Sequence, residues 1–177
     1  MSGPRLTGGH ARGRPVASVV PNGVRPTTSR VREAVFSILG QDLAGLRVLD
    51  AYGGTGVLGF EAWSRGADVV IVEKVPSNAR PITEAAGKLG AAVVVRTGDV
   101  LKVAPTIGRF DGILVDPPYA LDPAPILAVL APLAGRWLVL EADGRKAVPP
   151  TVAGMVADAP RRYGDSALWV FRRDPAP

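Results

Sequence analysis

Residues 115–119 read Val-Asp-Pro-Pro-Tyr and close an apolar run, "FDGILV". Prolines lack the N–H that a strand ladder needs, so pairing is expected to stop at Pro117. What remains is a short, stiff tip holding the carboxylate of Asp116, two proline carbonyls and the ring of Tyr119. Such a tip is either a strand stop with a capping Asp or a built site. A second stretch, "LDAYGGTGVLGFEA", argues for a site. It carries Gly54-x-Gly56-x-x-Gly59 directly after a strand-like run and at the opening of a helix-like one. That is the dinucleotide fingerprint, and Glu73 stands at the end of the next strand-like run, where it can grip ribose hydroxyls. The alternative is a tight strand-to-helix turn with no ligand, which the strand–loop–helix context and the acid together disfavour.

Two cofactors fit a glycine loop of this kind, NAD and S-adenosylmethionine (SAM). Asp50 separates them. A carboxylate just before the turn would repel a pyrophosphate, but it attracts the ammonium and sulfonium of SAM. The carboxylate of SAM can rest on the helix N-terminus. Asp99, after "VVVRTG", can then accept a hydrogen bond from the adenine amine. In a SAM context the Asp116–Tyr119 tip acquires a chemistry. The exocyclic amine of guanine, adenine or cytosine is a poor nucleophile because its lone pair is delocalised into the ring. Asp116 and the carbonyl of Pro117 can grip its two hydrogens and aim the lone pair at a methyl group. Tyr119 offers a face on which an extruded base stacks. Catalysis of this sort is placement and electrostatics.

The elements that must position these groups alternate from Arg47 onward. "RVLDAY", "DVVIVE", "AAVVVRTGD", "FDGILVDPPY" and "RWLVLEAD" read as strands. "VLGFEAWSRG", a segment from Pro76 to Gly90 and "PAPILAVLAPLAG" read as helices. Near-continuous Val/Ile/Leu runs are of the parallel-sheet type, and the alternation gives a doubly wound, Rossmann-like α/β sheet. The tail holds two strand-like pieces joined by a Gly-Asp turn, expected as an antiparallel edge hairpin. Ligands bind at the carboxyl ends of the strands in such sheets. Asp50, Glu73, Asp99 and Asp116 all stand there, on one rim. Ahead of the sheet, "RPTTSRVREAVFSILG" predicts a helix capped by Thr28 or Ser29, with Val31, Val35, Ile38 and Leu39 on one face and Gly40 as its stop. Residues 1–24 are rich in Gly, Pro and Arg and read as an irregular arm or small hairpin.

The totals bound the chemistry further. The chain has 177 residues, enough for one domain with a real core, and a slightly positive mean hydropathy. It has no cysteine and one histidine, His10. Disulfides, thiolate metal sites, a cysteine nucleophile and a multi-His metal site are excluded. No apolar run has the length of a membrane span, and the N-terminus lacks the apolar core of a signal peptide, so a cytoplasmic location is expected. Residues 1–47 carry seven arginines and two acids, residues 48–160 ten basic and twelve acidic side chains, and residues 161–177 four arginines and two aspartates. Basic ends around a slightly acidic middle suggest a polyanion held by the ends.

The blocks "RPTTSRVREAVFSIL", "VLDAYGGTGVLGFEAWSRGA", "VEK" and "LVDPPY" occur in the order found in RsmD-like methyltransferases, and the resemblance runs from about Arg5 to Arg173. It implies a Rossmann-like SAM-dependent fold, mostly parallel with an antiparallel C-terminal edge hairpin, and methylation of a guanine N2 amine in 16S ribosomal RNA. By match, cofactor contacts fall on Asp50, Tyr52, Gly54, Thr55, Gly56, Gly59, Glu73, Lys74, Asp99 and Val100. The catalytic motif falls on Asp116, Pro117, Pro118 and Tyr119. "GGHARGRP" resembles the family's opening, an extension thought to contact RNA. Arg12, Arg14, Arg25, Thr27, Arg30 and Arg32 are the expected substrate contacts. Residues 1–24 are thus expected as an RNA-contacting arm and 25–177 as the methyltransferase domain. The family's loop usually reads Phe-Ala-Gly-Ser-Gly; here it is Tyr52-Gly53-Gly54-Thr55-Gly56.

The residues alone also allow a different role for "RPTTSRVRE", a capped helix with a surface salt bridge from Glu33 to a nearby arginine. His10 is expected to be solvated or at most an RNA contact, and Trp63, Trp137 and Trp169 to serve packing. The expected partner is 16S RNA or a small-subunit assembly intermediate, with no membrane and no metal, and the chain a monomer. The rivals are a DNA adenine or cytosine amino-methyltransferase, an RNA-binding assembly factor without turnover, and an NAD-dependent oxidoreductase.

Overall fold

The computed structural model describes residues 3–16 and 27–173. Arg25 and most of the β-like "PVASVV" lie outside the described residues. Helix α1 (Ser29–Leu39) opens on Thr28, whose side chain accepts from the Val31 N–H at 3.3 Å, and ends at Gly40. Its buried face is Val31, Arg32, Val35 and Phe36. Ile38 and Leu39, expected on that face, are only half-buried.

The sheet then alternates as the pattern requires. Strand β1 (Arg47–Asp50) leads into α2 (Val57–Ser64), β2 (Asp68–Glu73) into α3 (Pro76–Leu89), and β3 (Val93–Thr97) into α4 (Val100–Val103). Strand β4 (Phe110–Val115) leads into α5 (Pro123–Leu130), and β5 (Ala134–Asp143) ends the parallel part. Two short hairpins follow: β6 (Thr151–Val152) with β7 (Met155–Ala157), then β8 (Arg161–Tyr163) with β9 (Ser166–Arg173). The order is β3-β2-β1-β4-β5-β9-β7-β6, with β8 also on β9. The chain order reverses between β1 and β4, which places the crevice for a ligand outside their carboxyl ends. The Gly-Asp hairpin is present and β9 pairs antiparallel with β5, as expected. The β6–β7 hairpin has no counterpart in the sequence reading. Its strands are two and three residues long, too short for any periodicity to show.

Side chains alternate across the sheet and feed two cores. Val48 and Leu114 join Phe36, Phe60 and Ile82 on one face, while Leu49, Ile113 and Val115 join Leu127, Leu130 and Phe171 on the other. Both faces are covered, so the central strands read as unbroken apolar runs. Strand β3 is the exception. It is an edge, and Val94 is largely exposed there despite its apolar context.

The arm, residues 3–16, joins the first core through Leu6, Ala11 and Val16. It closes on itself by a bridge between Arg5 and Pro15 and lies on the C-terminal end of α2. The His10 N–H donates to the Ser64 carbonyl, the Ala11 N–H to Ser64 Oγ, and that hydroxyl to the Gly8 carbonyl. Contact this close needs glycine. Gly9 has φ of +75°, and a Cβ there would overlap the Ser64 carbonyl.

Candidate active site

Strand β4 ends at Val115, one residue before the carboxylate, as two consecutive prolines demand. Pro117 is buried, and the Pro118 carbonyl accepts from the Leu121 N–H in a tight turn. Asp116 therefore sits on a rigid corner. Thr27 Oγ1 donates to its Oδ2 at 2.6 Å, so the residue before the α1 cap fixes the carboxylate plane. Across the crevice, Gly53 to Gly56 turn β1 into α2, with Gly54 and Gly56 left-handed. The departure from Ala at position 53 has a steric reason. A Cβ there would stand 2.8 Å from Ile71 Cγ2 and 3.1 Å from Ile82 Cδ1, so these two side chains leave room only for glycine.

Two acids hold this loop from behind. Glu73 Oε2 accepts from the Gly54 N–H at 2.7 Å, and its Oε1 from the Val75 N–H at 2.8 Å. Asp50 Oδ2 accepts from the Gly59 N–H at 2.8 Å. Asp50 is fully buried, and its Oδ1 has no hydrogen-bond partner among the described residues. Burial pushes its carboxyl up to about 7; the Gly59 amide opposes this, and the charges of Asp116 and Glu73 reinforce it. Asp99 caps α4 through the Leu101 N–H at 3.0 Å and faces Lys74 Nζ at 3.4 Å. Tyr52 is half-buried, and burial followed by the Asp99 charge pushes its phenol up to about 12.

Glycine loop, Glu73, Asp99 and the Asp116–Tyr119 corner open into one cavity of about 940 Å³. Of the expected cofactor contacts, Tyr52, Gly54, Thr55, Glu73, Lys74, Asp99 and Val100 line it, as do all four residues of the catalytic motif, together with Thr27 and Arg30. Asp50 does not. Its expected contact with the cofactor's charges is corrected to a support beneath the loop, because its carboxylate points to Gly59 inside the protein. Gly56 and Gly59 shape the turn and the helix behind it; a Cβ on Gly59 would meet Ile71 at 2.7 Å and Asp50 Oδ2 at 3.1 Å.

Among the expected RNA contacts, Arg32 is corrected outright. It is 4% exposed and fully engaged. Nε pairs with Glu61 Oε1 at 3.1 Å, Nη1 donates to the Thr27 carbonyl at 2.6 Å, and Nη2 to the Arg5 carbonyl at 3.0 Å. Glu61, wholly buried on α2, also pairs with Arg65 at 2.6 Å and accepts from the Thr7 N–H. The anchor is thus Glu61 and not Glu33, which is exposed. The block "TTSRVRE" clamps the arm, α1 and α2 together and holds Thr27 over Asp116. Arg14 also serves structure, donating to the Leu89 and Lys88 carbonyls at the C-terminus of α3. Arg12 and Arg30 are exposed, and the Arg30 guanidinium stands 5.8 Å from the centre of the Tyr163 ring at the cavity wall. The His10 ring meets Trp63 edge-on at 4.5 Å.

The sequence reading missed Glu141 and Tyr163, both of which line the cavity. Glu141 could have been found by the rule that found Asp50, Glu73 and Asp116, an acid closing a strand. Tyr163 comes from the edge hairpin and carries no such signal.

A doubly wound sheet that presents a glycine loop and an Asp-Pro-Pro-Tyr corner to one cavity defines a Rossmann-like methyltransferase domain. Comparison with known proteins identifies the family. Residues 4–172 match the family described as Conserved hypothetical protein 95, and the chain belongs to it, the family of the RsmD-like methyltransferases. A Bacillus subtilis protein named "Putative rRNA methyltransferase YlbH" is 29% identical over 96% of this chain and 98% of its own length. The ribosomal RNA small subunit methyltransferase D of Escherichia coli K12 is 35% identical over 65% of this chain, a stretch spanning 60% of that protein. A solved hypothetical protein of Thermus thermophilus superposes with a TM-score of 0.81 at 30% identity, covering 96% of this chain and 99% of that one.

Proposed function

We propose that this protein transfers a methyl group from SAM to the exocyclic N2 amine of a guanine in 16S ribosomal RNA, on an assembling small subunit in the cytoplasm. The observation that carries this reading is the single cavity shared by the glycine loop and the Asp116–Tyr119 corner. SAM supplies an electrophilic methyl group when bound. The cavity suits it: Glu73 and Asp99 present carboxylates to hydroxyls and an amine, the glycine loop forms a wall with no bulky side chain at Gly53 and Gly54, and the acids on the wall favour a cation over a pyrophosphate. With Thr27 fixing its plane, Asp116 accepts from the target amine. The Pro117 carbonyl provides the second acceptor, since that of Pro118 is held by Leu121. Together they bend the amine toward tetrahedral geometry, and Asp116 is the nearest acceptor for the proton the product nitrogen sheds. The Tyr119 ring covers the base. Arg30 and Arg12, both exposed, are the described arginines of the expected set that remain for phosphates. The chain acts as a monomer.

The test is tritiated methyl transfer from SAM to small ribosomal subunits lacking their modifications, with naked 16S RNA, bulk DNA and the Asp116→Ala protein alongside. Label recovered as N2-methylguanosine from subunits, and lost with Asp116→Ala, is the expected result. Full activity of the Asp116 variant, or label only in DNA, refutes the reading.

A further inference from the structure

The site holds a carboxylate that amine transfer does not require. Glu141 lies near the carboxyl end of β5 and is 8% exposed. Val115 and Leu140 are register partners in the parallel pair β4–β5, so Asp116 and Glu141 are the next residues on neighbouring strands. Alternation places both side chains on one face of the sheet, and both line the main cavity. The Tyr119 hydroxyl reaches Glu141 Oε1 at 3.5 Å, which ties this acid to the aromatic ring over the base. Beneath it the walls are apolar, formed by Val35, Leu58, Val139 and Leu168.

We infer that Glu141 selects guanine by accepting the N1–H that adjoins the reacting N2 amine; this rests on the amine-methylation reading above. The three candidate bases differ at that atom. Guanine carries a donor, N1–H, beside its exocyclic amine. Adenine N1 and cytosine N3, beside theirs, are acceptors. A base whose amine is gripped by Asp116 must present the adjoining ring atom to a neighbouring group of the pocket. A carboxylate welcomes a donor there and repels a lone pair, and beside the apolar side chains of Val35, Leu58, Val139 and Leu168 that repulsion is less screened than in water. One pair of adjacent acids therefore grips the amine and reads the ring atom, with Tyr119 linking the two.

The probe is 2-aminopurine, which keeps the 2-amine but has an acceptor at N1. The guanine labelled by the wild-type protein is mapped, then replaced by 2-aminopurine in 16S RNA assembled into subunits. Wild type should methylate guanine about 10- to 100-fold faster than 2-aminopurine, the cost of setting a lone pair against a charged acceptor. Glu141→Gln should slow transfer to guanine and narrow that ratio to within about threefold, because the amide can turn its N–H toward N1. SAM affinity and thermal midpoint are measured alongside. A Glu141→Gln protein that keeps the wild-type ratio overturns the role of Glu141, whether both rates are unchanged or both fall together; the second pattern is what mere structural support would give. Wild-type label in N6-methyladenosine or N4-methylcytosine overturns the underlying reading as well, and so separates the two failures.

Discussion

Arg32→Lys tests whether the family-specific block builds the fold or touches RNA. The guanidinium meets three acceptors on three segments: Glu61 at 3.1 Å, the Thr27 carbonyl at 2.6 Å and the Arg5 carbonyl at 3.0 Å. An ammonium keeps the charge but cannot span that fork. It leaves two buried acceptors poorly satisfied, at about 1.5 to 3 kcal/mol each for bonds to a charged donor, or roughly 3 to 6 kcal/mol in all. For a domain of this size that lowers Tm by about 6 to 24 °C. Because the Thr27 carbonyl is released, methyl transfer measured well below the new midpoint should fall too, while SAM affinity holds. Thermal unfolding by circular dichroism and a transfer assay on subunits read both effects. If Tm stays within about 1 °C of wild type while Arg32→Ala weakens RNA binding, the buried-clamp argument is wrong and the phosphate role returns.

Other outcomes follow from the same geometry. Thr27→Val deletes the 2.6 Å bond to Asp116 and should cost about tenfold in kcat with SAM affinity within about twofold; an equal loss in SAM affinity, read by calorimetry, would place Thr27 at the cofactor instead. The raised pKa of Asp50, about 7, means the folded protein keeps a proton that the unfolded chain releases near 3.8. Its contribution to stability is therefore full below about pH 4 and lost as pH rises through about 7. Urea midpoints at about pH 5 and pH 8 should fall with pH for wild type and less so for Asp50→Asn; parallel slopes would show that another group titrates.

Much of the fold was legible because it rests on local regularities. Short apolar runs, glycine and proline punctuation and helix caps determined the order of strands and helices, and Thr28, Asp99 and Asp122 all cap as such residues do. The glycine loop and the Asp116–Tyr119 corner were legible for the same reason: each is a contiguous run whose chemistry depends on its own backbone. What required the tertiary structure was the meaning of single charged residues. Arg32 and Arg30 stand two positions apart in one basic motif, yet a helix turns about 100° per residue, so one faces Glu61 in the core and the other solvent at the cavity mouth. Asp50 and Glu141 both stand at the carboxyl ends of strands. Both acids share one face of the sheet, and which of them looks into the cavity is set by what lies over it: the glycine loop and α2 cover Asp50, while Glu141 stands beside Asp116 at the cavity wall. Sequence thus determined which groups stand at the carboxyl rim, and only the packing of distant segments decided which are solvated, which are neutralised and which look into the cavity.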